Sequence, residues 1–280
     1  MAEPFGIAAG AIGISTAFTA CVSCFEYIQY GRHFGRDFQT DQLALSCARL
    51  RLTRWGESVN IYDDPKLGRP NATATEIQLA KDTLLQILVL FASTESISKN
   101  HKIVAKGGED LSTFTTGDMD PKLIALDNKM KALAIRRQKG SRFLKLTSWA
   151  LYHRSEFKNL LEQILSLIDN LEKLFPAPEA QTTLARQEAE EIGDKQSLDI
   201  IENTAKGVDN MLQMAVQEVL IGHRYLNVVI RGQTQIGDAY SSDWRGSATG
   251  ASHQYDRIMV EEGGKVLIGN KYGGKDFWDD

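Results

Sequence analysis

The first 221 residues of this 280-residue chain carry apolar side chains mostly at helical spacing. Residues three and four positions apart share one face of a helix, so this pattern predicts a domain of packed helices. The clearest stretch is 155–175, which Pro176 and Pro178 end, and Asp120 with Pro121 marks another helix start. The predicted helices cover about 41–61, 75–99, 121 onward, 155–175 and 197–220.

Two stretches add detail to this all-α fold. Residues 84–91 are apolar in near-continuous succession, so the helix over 75–99 is predicted to lie at the centre of the domain. Residues 103–116 place β-branched side chains on both sides of Gly107 and Gly108, which predicts a short β-hairpin. The expected architecture is therefore a helical bundle with one short hairpin.

The N-terminal segment Pro4–Phe25 carries no charge between Glu3 and Glu26. A helix over it would be roughly 33 Å long, enough to cross a hydrocarbon core of ~30 Å. Gly6 and Gly10 have the GxxxG spacing that lets membrane helices approach closely. The many small residues fit a glycine-rich helix buried in the protein equally well, and the residues alone leave both interpretations open.

The helical period stops near residue 222, and two segments of the tail match each other. Residues 223–230 align with 253–260, and 236–240 align with 268–272 after two extra residues in the second copy. Residues 241–252 form a Gly/Ser-rich connector between the copies. The alternatives are a disordered linker with a chance repeat, and a shorter self-match between 219–225 and 266–272.

Two copies are too few for a stable repeat stack, which needs at least ~3 units. We therefore expect other molecules to supply the missing layers in an in-register β-stack that advances ~9.4 Å per molecule. In this register Arg231 of the first copy faces Glu261 of the second, and opposite charges on adjacent layers attract. The tail is predicted to be disordered as a monomer and cross-β when assembled.

Composition and motifs narrow the function classes. A net charge of −4 argues against nucleic acid as the main partner, and three cysteines in apolar surroundings indicate a reducing, cytoplasmic location without a disulfide framework. The GxxxxGK spacing at Gly269–Lys275 lacks the hydroxyl residue and helix of a phosphate loop, because Asp276 follows. The five histidines are scattered, so no enzyme, metal or cofactor is predicted.

A basic run extends from Lys129 to Lys145. It could meet anionic lipid head groups, but a solvated helix face is the commoner explanation for such a run.

The chain resembles the fungal HET-s/HET-S heterokaryon incompatibility proteins. The resemblance rests on EPFGIAAGA, CFEYIQYGRHFGRDF, LTRWGESV, TSWALY and above all the C-terminal VLIGNKYGGKDFWDD. It implies a HeLo helical domain over 1–221 and a prion-forming domain over 222–280 that folds into a two-rung β-solenoid amyloid. A prion-state family member or an NLR-like receptor would template that fold and free the N-terminal segment to enter the plasma membrane as an oligomeric pore.

The resemblance also implies roles for individual residues. His33 lies where toxic and prion-only forms of the family differ, and this sequence looks like the toxic, pore-forming type. The alternative is a non-toxic amyloid scaffold or inhibitor. The first repeat departs from the family pattern, since Ile236-Gly237-Asp238-Ala239 replaces a Leu-Gly-Asn-Val run.

The expected site residues fall into three further groups. The membrane-inserting set is Phe5, Gly6, Ile7, Gly10, Ile12, Gly13, Ile14, Phe18 and Phe25. The amyloid core is Val228, Ile230, Ile236, Gly237, Ile258, Val260, Val266, Ile268, Gly269 and Tyr272, and a C-terminal aromatic cluster is Tyr272, Phe277 and Trp278.

Overall fold

The computed structural model describes residues 12–104, 110–139, 148–221, 224–237, 239–240, 254–269 and 271–272. The chain divides into two compact units, Met1–Gln213 and Met214–Asp280, which we call the helical unit and the repeat unit. The division falls inside the helix Asn210–Ile221, whereas the sequence predicts a domain boundary at residue 221.

The described residues are mostly helical, in keeping with the predicted all-α class. Their α-helices are α1 Ile14–Cys24, α2 Phe38–Ser58, α3 Ala74–Val104, α4 Pro121–Arg137, α5 Arg154–Leu174, α6 Pro178–Ile192, α7 Lys195–Ala205 and α8 Asn210–Ile221. Their strands are β1 Ile28–Tyr30, β2 Trp149–Leu151, β3 Arg224–Ile230, β4 Gln233–Ile236, β5 Ala239–Tyr240, β6 Gln254–Val260, β7 Lys265–Ile268 and β8 Lys271–Tyr272.

Capping side chains define where helices begin. The Asp120 carboxylate accepts a hydrogen bond from Lys122 N at 2.8 Å, and Pro121 occupies the first helical position, where no backbone N–H is needed. At the start of α3, Thr73 Oγ1 accepts from Glu76 N while Glu76 Oε2 accepts from Thr73 N. This reciprocal capping box satisfies two backbone donors that would otherwise lack partners.

Helix α2 is the axis of the helical unit. It contacts α1, α4, α5, α6 and α7. Its large buried side chains, each less than 2 % exposed, include Trp55, Leu45, Leu50 and Leu52. The Trp55 indole donates to the Phe175 carbonyl at 3.3 Å, which ties α2 to the end of α5.

The prediction that the helix over 75–99 lies at the centre is wrong. Helix α3 packs against α1, α5 and β2 on one side, and its other side carries exposed aliphatic residues. Leu79 is 54 % exposed, Val89 44 % and Ile97 50 %. A continuous apolar run shows that a helix can be buried all round, but the number of neighbouring elements decides whether it is.

The single helix predicted over 197–220 is two helices. The chain leaves α7 after Ala205, and Gly207 adopts a φ of 75°, which a glycine accepts without strain. Asp209 then accepts a hydrogen bond from Leu212 N at 3.1 Å and starts α8. Helix α6 is not among the predicted helices, because a proline after an apolar helix indicates a stop, whereas Pro178 occupies the start of a new helix.

The hairpin predicted over 103–116 is not formed by the residues of that stretch that the structure describes. Ile103 and Val104 belong to α3, and Thr113 makes an isolated antiparallel bridge to Gly31. Gly107 and Gly108 lie outside the described residues. The described part of the helical unit instead holds a small parallel sheet in which β1 pairs with β2.

Candidate functional site

The predicted membrane segment is only partly described. Phe5, Gly6, Ile7 and Gly10 lie outside the described residues. Gly13 has an extended backbone (φ −73°, ψ 165°), α1 begins at Ile14, and Phe25 lies in a 3-10 turn after its end. A single α-helix over Pro4–Phe25 is therefore not present in this state.

Helix α1 is packed deep in the helical unit. Phe18 is fully buried, and its ring lies on Gly56 of α2, where an added Cβ would be 2.3 Å from Phe18 Cζ. The Cys21 thiol donates to the Leu84 carbonyl at 3.0 Å, and the rings of Phe25 and Phe91 meet edge to face at 5.0 Å. The buried-helix interpretation thus describes the part of the segment that forms α1, Ile14–Cys24.

Two hydroxyl groups of α1, those of Thr19 and Ser23, donate to backbone carbonyls of the N-terminal segment itself. Thr19 Oγ1 donates to the Ser15 carbonyl and Ser23 Oγ donates to the Thr19 carbonyl, each at 2.9 Å. Gln138 adds a hydrogen bond from its amide to Ser23 Oγ at 2.8 Å. Because the first two bonds travel with the helix, these hydroxyls would stay paired in hydrocarbon.

Among the described helices, α3 has the length and composition to cross a membrane. Its qualifying stretch is 39 % buried. Helix α1, at 11 residues or ~17 Å, is too short by itself to span ~30 Å of hydrocarbon. A membrane-spanning form of the N-terminal segment would need residues before Ile14 to join the helix.

The two repeats stack as parallel rungs. β3 pairs with β6, β4 with β7 and β5 with β8, so that Val228 lies beside Ile258 and Ile236 beside Ile268. The sequence alignment paired the same residues. The extra residues of the second copy lie in the turn before β7, where Gly263 has a φ of 82°.

The two rungs differ in burial. Ile230 and Ile236 of the first rung are 2 % and 6 % exposed, whereas their partners Val260 and Ile268 are 40 % and 43 % exposed. The other core positions with described side chains, Val228, Ile258 and Val266, are half-buried. The second rung thus presents an uncovered apolar edge.

Backbone geometry repeats between the rungs as well. Gly237 and Gly269 occupy equivalent turns with φ values of 116° and 108°, which favour glycine at both positions. Tyr272 pairs through its backbone with Tyr240, while its side chain, Phe277 and Trp278 lie outside the described residues.

The predicted ion pair between the rungs is present. Arg231 Nε lies 3.1 Å from Glu261 Oε1, with side chains 78 % and 45 % exposed. A single exposed pair contributes ~0–1 kcal/mol, so its effect depends on repetition along a stack.

His33 lies exposed on the 3-10 helix Arg32–Asp37. The preceding Arg32 forms an ion pair with Asp118 at 3.2 Å and lies 4.6 Å above the Phe114 ring. These contacts hold the turn against the chain that precedes α4, while the role expected for His33 stays a prediction.

The cations of the basic run that the structure describes have acidic partners. Lys129 pairs with Asp194, Lys131 with Asp127, Arg136 with Glu191, Arg137 with Glu188 and Lys139 with Asp63. Arg142 and Lys145 lie outside the described residues. The pairing favours a structural role over lipid binding.

The three cysteines are buried and free. Burial raises the pKa of all three thiols, and Cys24 adds to the effect at Cys21. Within the described residues, no group of three or more histidine, cysteine, aspartate or glutamate side chains is placed to hold a metal ion.

Residues 6–201 match the family described as "HeLo: Prion-inhibition and propagation". The chain belongs to the HeLo family. Over their full lengths, this HeLo protein is 39 % identical to heterokaryon incompatibility protein S of Podospora anserina (strain S) and 38 % identical to heterokaryon incompatibility protein s of Podospora anserina.

Solved structures agree with this assignment. The HET-S N-terminal domain superposes with a TM-score of 0.72 at 42 % identity, covering 78 % of this chain and 97 % of that one. A doubly substituted HET-s N-terminal domain gives a TM-score of 0.68 at 40 % identity, covering 73 % and 97 %. These relatives are named for heterokaryon incompatibility and not for a catalytic activity.

Proposed function

We propose that this HeLo protein executes cell death in heterokaryon incompatibility by coupling amyloid assembly to membrane permeabilisation. Templated assembly of residues 222–280 releases Pro4–Phe25, which inserts into the membrane. The observation that carries the proposal is the uncovered edge of the second rung, where Val260 and Ile268 are exposed although their partners Ile230 and Ile236 in the first rung are buried.

That edge is built to accept another copy. Val260 and Ile268 are in register with residues that are buried in the first rung, so a first rung from the next molecule would cover them in the same way. At each new interface Glu261 of one copy would face Arg231 of the next, so the attractive contact between opposite charges would recur. Parallel in-register stacking of this kind satisfies backbone groups and apolar side chains together.

Release of α1 requires the helical unit to open. Each large apolar side chain that leaves the core loses ~1.5–3 kcal/mol of burial energy, and α1 buries Phe18 and Val22 completely. Insertion into hydrocarbon removes the apolar side chains of α1 from water again and so recovers their burial energy. The internal hydrogen bonds of Thr19 and Ser23 remain intact. The membrane thus stabilises the released segment while water does not.

The partners follow from this mechanism. They are further copies of the chain in the fibre and in the membrane oligomer, a prion-state family member or an NLR-like receptor with a matching repeat, and membrane lipid. The resting protein is cytoplasmic, and the activated protein is at the plasma membrane.

The second candidate is a non-toxic amyloid scaffold or inhibitor whose helical domain does not form pores. The break at Gly13 favours it, because the described part of the N-terminal segment is too short to span a bilayer as it is folded.

Leakage of liposomes by the full-length protein separates the two candidates. Seeding with preformed fibres of residues 222–280 should cause dye release. Ile14→Asp places a charge near the middle of the segment at ~2.5–3.5 kcal/mol and should abolish release while fibres form normally. The control Ile14→Leu should leak like wild type.

Ile14 is half-buried, so the Asp variant must first be shown to melt cooperatively. If a folded Ile14→Asp protein leaks liposomes after seeding, the N-terminal segment is not the membrane-active element.

A further inference from the structure

Three side chains far apart in sequence form a buried charge cluster in the helical unit. Arg54 of α2, Glu188 of α6 and Asp209 are each 0–1 % exposed. Arg54 Nε and Nη2 donate to Glu188 at 3.0 and 2.7 Å, and Nη1 and Nη2 donate to Asp209 at 2.9 and 2.5 Å. Burial disfavours the charged guanidinium, but Asp209 and Glu188 outweigh it and raise the pKa of Arg54.

A second arginine completes the charge balance. Arg137 of α4 pairs with Glu188 and also with Glu57, whose side chain is 45 % exposed. The fully buried carboxylates of Glu188 and Asp209 thus face the guanidinium groups of Arg54 and Arg137. Removing one member would leave a buried charge without its counterion, which is among the most destabilising changes a core can suffer.

Besides its ion pair with Arg54, Asp209 makes two hydrogen bonds that fix the backbone before α8. It caps α8 by accepting from Leu212 N, and its own N–H donates to the Ala205 carbonyl at 2.8 Å. One turn before Arg54 on α2, Arg51 Nη1 donates to the Val208 carbonyl at 3.1 Å. Arg51 and Arg54 of α2 therefore both form hydrogen bonds to the turn between α7 and α8.

This turn directly precedes the helix that contains the division between the helical and repeat units. Asp209 immediately precedes α8, the division between the helical and repeat units falls within α8, and β3 begins at Arg224. Along the chain, tension on α8 from an assembling repeat unit would reach Asp209 before it reached Glu188 in α6 or Arg54 in α2. A displacement of Asp209 would leave Arg54 facing Arg137 with Glu188 as the one fully buried carboxylate between them.

We propose that the Arg54–Asp209 pair is the trigger through which fibre assembly unfolds the helical unit. Withdrawal of Asp209 leaves the guanidinium groups of Arg54 and Arg137 sharing Glu188 as their one fully buried carboxylate, and the core around α2 opens to hydrate the excess positive charge. The inference rests on the proposed function and names the contact that transmits the signal.

The test compares a single with a double substitution in the full-length chain. Asp209→Asn keeps a good helix cap but removes the charge, so the unfolding constant of the helical unit should rise on the order of 100-fold or more without any seed. The double variant Arg54→Met with Asp209→Asn leaves Glu188 balanced by Arg137, and much of that loss should be recovered.

The decisive readout is hydrogen exchange of the α2 backbone after seeding with fibres of residues 222–280, without membranes. Wild type should lose protection in α2 as its repeats assemble. The double variant should assemble its repeats and keep α2 protected, because withdrawing its neutral side chain at position 209 uncovers no charge. Leu160→Ala, a buried substitution in α5 away from the cluster, serves as a destabilised control and should lose protection on seeding as wild type does.

Loss of α2 protection in the seeded double variant at the wild-type rate would overturn the trigger. Wild type alone supplies a second criterion, since exchange at residues 205–209 must rise no later than exchange in α2. If α2 opens while that turn stays protected, the proposal fails whatever the variants do. Because no membrane is present, these results are independent of whether the N-terminal segment forms pores.

Discussion

In the helical unit, Trp55, Leu50 and Leu52 are less than 2 % exposed, and the acidic and basic groups of the core neutralise one another. In the repeat unit, Val260 and Ile268 remain 40 % and 43 % exposed although their partners one rung away are buried. The helical unit is thus a finished core, and the repeat unit is a stack that ends on an apolar layer. We therefore expect the helical unit to be stable alone and the repeat unit to gain stability from each copy that joins it.

The substitution with the largest expected effect disrupts the core of the helical unit and leaves the repeat stack intact. Trp55→Ala removes the largest buried side chain of α2 and its hydrogen bond to Phe175, and should lower the free energy of unfolding by about 3–5 kcal/mol. Urea unfolding followed by circular dichroism measures the loss. Leu79→Ala, at a 54 % exposed position, should change stability by less than ~1 kcal/mol.

Fibre growth of the tail should be the same in the Trp55→Ala protein as in wild type. A slower growth rate at equal seed concentration would mean that the repeat stack depends on the helical core and that the two units are not independent.

A second substitution loosens only the N-terminal helix. Gly56→Ala places a methyl group against the Phe18 ring and should destabilise the helical unit by about 1–3 kcal/mol, with α1 the first element to lose hydrogen-exchange protection. Gly13→Ala is the matched control, since an added Cβ there meets nothing within 4 Å. Equal effects of the two substitutions would refute the packing of Phe18 on Gly56.

A third pair of substitutions compares equivalent positions in the two rungs. Ile236→Val and Ile268→Val should each raise the soluble concentration in equilibrium with fibres by an amount that corresponds to ~0.5–1.5 kcal/mol. The effects should be equal, because a neighbouring copy buries Ile268 as the second rung buries Ile236. An effect confined to Ile236→Val would show that nothing covers the second rung.

The smallest effect concerns the charges between rungs. Arg231→Glu puts like charges beside Glu261 and should weaken each contact by roughly 0.2–1 kcal/mol, repeated along the fibre. Growth followed by thioflavin fluorescence should slow and should recover when Glu261→Arg is added. A double variant no faster than the single one would contradict the register.

Sequence patterns identified the parts of the fold that local physical chemistry determines. The cap at Asp120, the amphipathic period of α5 and the register of the repeats all depend on residues close in sequence or on direct self-similarity. The sequence also contains a signal for the break at Gly207, since Lys206 and Gly207 are followed two residues later by Asp209. The apolar period that continues over 197–220 favours a single helix and outweighs that signal.

Other features depend on contacts that no local pattern contains. The exposed side of α3 results from how few helices surround it, and the charge cluster joins Arg54 to residues 134 and 155 positions away. Arginine and glutamate at those positions look like ordinary helix-surface residues, so their burial could not be inferred without the fold.

The most direct test of the account is alkylation of the three thiols in the full-length protein before and after seeding in solution. Cys21 and Cys24 lie in α1 and Cys47 in α2, and burial raises the pKa of each. Release would return the thiols toward their ordinary pKa of ~8.5 and make the reactive thiolate available near pH 8. The account predicts that Cys21 and Cys24 become labelled as fibres form, and fibres that grow to completion with both thiols unlabelled would contradict it.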